Sequence, residues 1–349
     1  MNFKIKNLSK KIIKILLISS LLFSFNCGKK ENLENKVRIG YMEHASGIAY
    51  FIADDKGYFK KEGLEVELVK CGFREHTDAL ISERVDLNVP TSFPYLFGIE
   101  AENPGTIKIF HLGGEKSNGE LIFGFLVNKK SSIKSVEDLR QKKIGATSQI
   151  DILNLKLILS KLQLNLERDV KIIPVGLEVA AHTLTANRID VLFISQPYLI
   201  LTMAKGGARL LIKNPRANYI IDPYWSGASA VLTKYAKRNP KIVEKVMDAL
   251  DEALDFYKEN PIEGKKIVAK YVSYLSSELA TEMGIYFKVK STEPVDLEKV
   301  QYLADILVEY GILRKKIDVE KMYLSREKLE DYIKEQEIKN EKHSLNRTK

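Results

Sequence analysis

Short strand-like runs alternate with helix-like runs from about residue 36 to residue 232, and no other feature limits the fold as tightly. Val37–Tyr41, Val85–Val89, Ile107–Leu112, Leu121–Val127, Lys143–Ala146, Val170–Val175 and Val191–Ile194 read as strands. Leu64–Val69 alternates apolar and polar residues with period two, the pattern of a half-buried strand. An apolar stretch follows the first strand at Ile48–Asp54, and helix-like stretches fall around Ala79–Ile81 and at Tyr95–Ala101, Ile152–Leu162, Val179–Asn187 and Tyr198–Lys205. Such alternation predicts the α/β class with parallel sheets. The character changes after Trp225 and a last strand-like run, Ala228–Leu232. Asn239-Pro240 is a helix start, with Asn as cap and Pro at the first helical position, and Asn260-Pro261 ends that helix. Helices over Glu263–Val272 and Leu297–Tyr310 follow. Residues 325–349 are highly charged with few apolar anchors, the pattern of a frayed helix or disordered tail.

Charge explains the N-terminus. The 349 residues carry 55 Lys+Arg against 46 Asp+Glu, a net +9. Five lysines (Lys4, Lys6, Lys10, Lys11 and Lys14) lie within residues 1–26, which hold no acid. The remainder carries +4, which removes the argument for a nucleic-acid partner. The apolar run Ile15–Phe25 is too short to span a bilayer, which takes about 20 residues. Lysines followed by such a run read as a secretory signal over 1–26. The run stops at Cys27, which resembles the acylated cysteine of a bacterial lipoprotein, with 27–35 as a flexible tether. Ser24 and Asn26 stand where that pattern usually has Leu and Gly or Ala, a departure similar to the looser sites of spirochaete lipoproteins. Only Cys71 then remains, so no internal disulfide is expected.

Enzyme signatures are missing: no G-x-G-x-x-G follows a strand, and there is no G-x-x-x-x-G-K-[ST] or G-x-S-x-G. Neither a catalytic residue nor a cofactor is expected. The informative positions are the loops after strands, because ligands of open α/β sheets bind outside the strand C-termini. Four such loops carry small or polar residues: Glu43-His44-Ala45-Ser46-Gly47, Gly72-Phe73-Arg74-Glu75-His76, Pro90-Thr91-Ser92-Phe93 and Thr147-Ser148-Gln149. A Ser or Thr there caps a helix or donates to a ligand oxygen. Glu43, His44 and His76 together are of the type that forms a two-histidine, one-carboxylate metal site, although no close H-x-H or H-x-x-x-H spacing supports one.

A family resemblance rests on an ordered set of motifs. Ile39-Gly40-Tyr41 with the stretch Ala53 to Val66, including Asp55-Lys56-Gly57-Tyr58-Phe59, resembles the opening of periplasmic substrate-binding proteins of ABC importers. The branch it resembles serves nitrate, sulfonates, taurine and thiamine-precursor pyrimidines. Arg84 to Val89, Ser132 to Gly145, and Asn187 to Val191 with Gln196-Pro197-Tyr198 match further segments in order, from about residue 36 to 290. Arg84 and Asn187 stand near usual glycines. Gln196 replaces the usual Glu, which disfavours a cationic ligand there.

The resemblance implies two α/β lobes of the type II periplasmic-binding-protein fold, joined by two hinge strands and followed by C-terminal helices. Leu121–Val127 and Ala228–Leu232 fit the crossings, which makes lobe one 36–125 plus 229–324 and lobe two 126–228. Ser46, Gly47, Arg74, Thr91, Ser92, Thr147, Ser148 and Gln196 are the implied cleft residues. Arg74 is either a bidentate partner for an anion or a lip arginine. Trp225, the single Trp, is either a ring-stacking floor or a packed hinge aromatic. The implied function is a monomeric, lipid-anchored receptor on the cell envelope, binding a small anion or polar heteroaromatic and delivering it to ABC permease subunits. Two alternatives remain: an enzyme on the same fold, of the pyrimidine or menaquinone biosynthesis type, or a surface lipoprotein for a protein partner.

Overall fold

Strand β1 (Lys36–Tyr41) turns Val37 and Ile39 into the core and pairs in parallel with β3 (Leu87–Ser92), with Ile39 opposite Leu87. The computed structural model describes residues 35–72, 75–166 and 168–347, with side chains to residue 342. Residues Val37–Lys349 form one compact unit. Strand β2 (Glu65–Lys70) keeps the expected alternation: Val66 and Leu68 pack on the core while Glu65 and Glu67 are exposed. It lies at a sheet edge, where charged side chains discourage pairing with other chains. Strands β4 (Ile107–Glu115), β10 (Tyr224–Leu232) and β11 (Phe287–Lys288) complete a six-stranded sheet of order β11-β4-β10-β3-β1-β2.

The second sheet holds β5 (Phe123–Asn128), β6 (Lys142–Ala146), β7 (Val170–Pro174), β8 (Val191–Ser195) and β9 (Ala208–Lys213), in the order β7-β6-β8-β5-β9. β5 and β8 are buried along almost their whole length, as strands covered on both faces must be.

The sheets are mixed, which corrects the expectation of purely parallel ones. β10 runs antiparallel to β3 and β4, and β5 runs antiparallel to β8 and β9. Each is the strand that arrives from the other sheet. It enters at the rim where its parallel neighbours end, so it must run backwards. The crossings also lie elsewhere than read from sequence. Phe123–Val127 belongs wholly to the five-stranded sheet and Ala228–Leu232 wholly to the six-stranded one. The chain changes sheets through residues 116–122 and 214–223. Strand-like composition marks the strands but not the linkers between them, the second of which carries the short helix Pro215–Tyr219.

Helix Pro240–Glu259 starts and stops at the expected prolines, although the Asn239 side chain makes no capping bond. It packs with helix Pro261–Tyr271 on helix Ile48–Asp55, whose first six residues are buried. The charged tail forms helix Arg326–Arg347, held at its start by buried Leu329 and by Arg326, which pairs with Asp248 at 2.7 Å and Asp251 at 3.2 Å.

Candidate functional site

The two crossings are tied together by one side chain. Asn214 sits in the left-handed region (φ 44°), which asparagine tolerates, and is fully buried. Its Oδ1 accepts the N–H groups of Ile122 (2.8 Å) and Phe123 (3.2 Å), and its Nδ2 donates to the carbonyls of Lys116 (2.8 Å) and Glu120 (2.7 Å). That uses all four of the amide's hydrogen-bonding sites.

Above this knot the strand ends of both lobes converge on a buried ion pair. Arg216, just after β9, forks onto Glu115 at the end of β4, with Nε to Oε1 at 3.1 Å and an Nη to Oε2 at 3.0 Å. Both side chains are almost completely buried. The Ala217 N–H adds a third bond to the carboxylate at 3.3 Å. The guanidinium lies 4.0 Å from the Phe123 ring centroid and 4.4 Å from that of Tyr224, so the charge is held between two aromatic faces. Tyr286 also bonds Arg216, and burial pushes its hydroxyl up to about 12.

Direct contacts close the lobes on each other. The Tyr224 hydroxyl donates to Asn154 Oδ1 of the lobe-two helix Gln149–Lys161 at 2.9 Å. His44 Nδ1 accepts the Ser46 N–H, which leaves Nε2 to donate to the Gln196 carbonyl at 3.0 Å. Burial pushes His44 down to about 4, so the neutral ring makes this contact at ordinary pH. The Tyr198 and Tyr274 rings stack across the lobes at 5.6 Å. Asp151, one turn before Asn154, is held above the usual carboxylate range by burial, and it accepts the Thr147 hydroxyl at 2.7 Å.

The residues expected from the sequence divide into several groups. Ser46 Oγ donates to the Pro90 carbonyl at 3.2 Å, which joins two rim loops. At Gly47 a Cβ would stand 2.6 Å from the Phe51 ring, so the helix start needs glycine for space. Thr91 points inward and bonds His76 Nδ1 at 2.7 Å, while His76 Nε2 donates to the Gly40 carbonyl at 2.9 Å. Ser92 precedes helix Phe93–Glu102 without capping it, whereas Ser148 does cap its helix by accepting the Asp151 N–H at 3.0 Å. Gln196 is fully buried; its Nε2 donates to the Leu121 carbonyl at 3.0 Å and its Oε1 accepts the Ile200 N–H at 3.2 Å. Trp225 packs edge-on against Phe287 at 5.1 Å, with its indole N–H unpartnered among the described residues. Arg74 and Cys27 lie outside the described residues. Cys71 is a free, buried thiol.

The metal reading fails on geometry. Both ring nitrogens of His76 and of His44 are engaged, and Glu43 pairs with Lys70 at 2.7 Å and accepts the Ser273 N–H, which together hold it down to about 2. Among the described residues no His, Cys, Asp and Glu cluster could hold a metal ion. Sequence reasoning missed Glu115, Asp151, Asn154, Arg216, Tyr224, Tyr286 and Lys288. Only Glu115, a charge closing an apolar strand after Gly113-Gly114, leaves a local trace in the sequence.

A family profile described as NMT1/THI5 like matches residues 44–264. A Bacillus subtilis protein named "Putative aliphatic sulfonates-binding protein" is 26% identical over 322 residues, spanning 87% of this chain and 92% of that protein. Among solved structures, the periplasmic aliphatic sulphonate binding protein SsuA from Escherichia coli is similar at a TM-score of 0.69. It is 20% identical and covers 83% of this chain and 92% of its own. The periplasmic nitrate-binding protein NrtA from Synechocystis PCC 6803 is similar at 0.63, with 15% identity, 84% of this chain and 87% of its own. These structures share the two-lobed periplasmic-binding-protein fold found here. With more than half of its length matched by the profile, the chain belongs to the NMT1/THI5-like family.

Proposed function

We propose that this protein is a solute-binding receptor of an ABC importer, which closes its two lobes on a small anion or polar heteroaromatic and presents the closed form to permease subunits. The observation that carries this reading is the polar centre shared by both lobes, where Glu115, Tyr224 and Tyr286 of one meet Arg216, Asp151 and Asn154 from the other side of the hinge. A ligand that bridges such walls stabilises the closed arrangement by its differential affinity for it. Binding rather than catalysis is supported by the rim histidines, whose ring nitrogens are all committed to hydrogen bonds within the fold. The names of the relatives, sulfonate- and nitrate-binding, point to the same ligand class. Export and attachment through lipid on Cys27 complete the reading, with the +5 leader of residues 1–26 removed.

Thermal-shift measurements on the full chain with alkanesulfonates, nitrate, taurine and aminopyrimidines test the receptor reading. At least one should raise the melting temperature in a concentration-dependent way. No shift with any of them refutes it. Radioactive palmitate should label wild-type cells and not Cys27→Ser cells; equal labelling refutes the anchor.

A further inference from the structure

The end of the five-stranded sheet that faces away from the rim holds a second polar pocket, of about 560 Å³. It gathers the first residue of β6, the residue before β8, the last residue of β5 and the turn before β9. β6 and β8 each run five residues, so about 16 Å of strand separates the pocket from the rim loops at Thr147 and Gln196. One asparagine pins the wall. Asn128 Nδ2 donates to the Thr185 carbonyl at 3.2 Å and to Asn187 Oδ1 at 3.0 Å, and its Oδ1 accepts the Lys130 N–H at 3.0 Å. The Lys129 N–H donates to the Gly207 carbonyl at 3.0 Å, which ties in the turn before β9. A Cβ at Gly207 would stand 2.6 Å from Thr185 Cγ2, so this approach needs glycine. Asn187 holds a left-handed backbone (φ 57°) where a glycine would serve, and its amide adds a donor to the wall.

The pocket is electropositive. Lys129, Lys130 and Lys142 line it, and none forms an ion pair among the described residues. Its one acid is Asp190, whose Oδ2 accepts the Lys143 N–H at 2.7 Å. Three cations against one carboxylate leave +2. The Lys142 charge also acts on Asp138, but that carboxylate is outside the lining and already accepts the N–H groups of Lys134 and Ser135. Ser131 and Ser132 add hydroxyls beside the lysines. The surrounding lobe reinforces the field. From β5 to β9, residues 123–213, the chain carries 14 Lys+Arg against 7 Asp+Glu, so the +4 of residues 27–349 is +7 here and −3 elsewhere. A concave site walled by one sign of charge concentrates the opposite ion.

We propose that this pocket is a second binding site, separate from the interlobe cleft, for a phosphomonoester. Such a group is a compact anion of charge close to −2 at pH 7.5, which matches the wall, and its oxygens accept from ammonium, hydroxyl and amide donors together. A singly charged oxyanion or a phosphodiester leaves half of the wall unmatched. The ester arrives on a soluble molecule or on a lipid headgroup, and experiment separates the two sources. The site does not depend on the receptor reading.

Isothermal titration calorimetry of the full chain at pH 7.5 and low salt, with glycerol 3-phosphate and the monoanionic diester dimethyl phosphate, tests the soluble source. Sedimentation with phosphatidylcholine vesicles that contain phosphatidic acid or, at equal mole fraction, phosphatidylglycerol tests the lipid source. In at least one arm the monoester should bind at least fivefold more tightly than the diester. A triple variant, Lys129→Gln with Lys130→Gln and Lys142→Gln, should lose at least tenfold in that arm. Asn187→Gly removes a donor and no charge, so its expected loss of at least threefold marks a site rather than the general field of the lobe. Both variants should keep the wild-type melting temperature and the wild-type thermal shifts with the cleft ligands, because the pocket lies a strand length from the rim. Binding in neither arm, equal binding of monoester and diester, or undiminished binding in either variant overturns the inference. A protein that binds the monoester in this way and shifts with none of the cleft ligands keeps this site and loses the receptor reading.

Discussion

Cutting the Glu115–Arg216 pair one side at a time, and then both together, asks whether the lobes are held by charge or by packing. The carboxylate accepts three bonds, at 3.0, 3.1 and 3.3 Å, and the guanidinium has two aromatic faces at 4.0 and 4.4 Å. Glu115 is fully shielded from water and Arg216 nearly so. Glu115→Met leaves a desolvated guanidinium, and Arg216→Met leaves a desolvated carboxylate. Either should cost about 3–5 kcal/mol, the usual loss when one half of a buried pair is removed. The double variant should recover most of that, because two thioether side chains fill a slot already lined by Phe123 and Tyr224. The coupling between the two sites should then be about 3 kcal/mol or more. Urea unfolding followed by circular dichroism gives each value from the midpoint, provided the slope stays constant. Single variants that each cost less than about 1 kcal/mol would show that water reaches the pair in solution and that the closed centre does not persist there. A double variant whose cost is the sum of the two singles would show that the groups do not interact.

Two further outcomes follow from the same structure. Asn214→Gly keeps the left-handed backbone and removes the four bonds that tie the crossings, so it should lower stability by about 2–4 kcal/mol and weaken ligand-driven closure in the thermal-shift measurements. Wild-type affinity and stability would exclude the knot as a hinge constraint. His76 is fully buried and pushed down from 6.5 to about 4 by desolvation, so its neutral form is the one the fold accepts. Its contribution is intact above pH 6.5 and is lost as pH falls from there to about 4, because only the unfolded chain takes up the proton. The loss is about 3 kcal/mol, and His76→Gln should flatten the stability profile in that window. A profile unchanged by His76→Gln refutes the assignment.

How much was legible from sequence depends on the range of the interaction. Period-two alternation located β2, and Asn-Pro pairs located both ends of helix Pro240–Glu259, because these signals are local and a few neighbouring residues produce them. The rim loops were found for the same reason, since each is a turn between two recognisable elements. Their side chains were harder to assign. Thr91 sits at a strand end and still faces the core, because the pleat decides its direction. Gln196 sits at a rim and is consumed by Leu121 and Ile200.

The local sequence determined the α/β class and the family. It could not determine which way β5 and β10 run, because strand direction depends on which sheet the chain has just left. Nor could it pair Glu115 with Arg216 across 101 positions, or find Lys288 unpaired beside Tyr286. A charged side chain reads the same in sequence whether water, a partner or nothing surrounds it. Only the tertiary fold removes the water, and with it the screening that makes an isolated charge inexpensive.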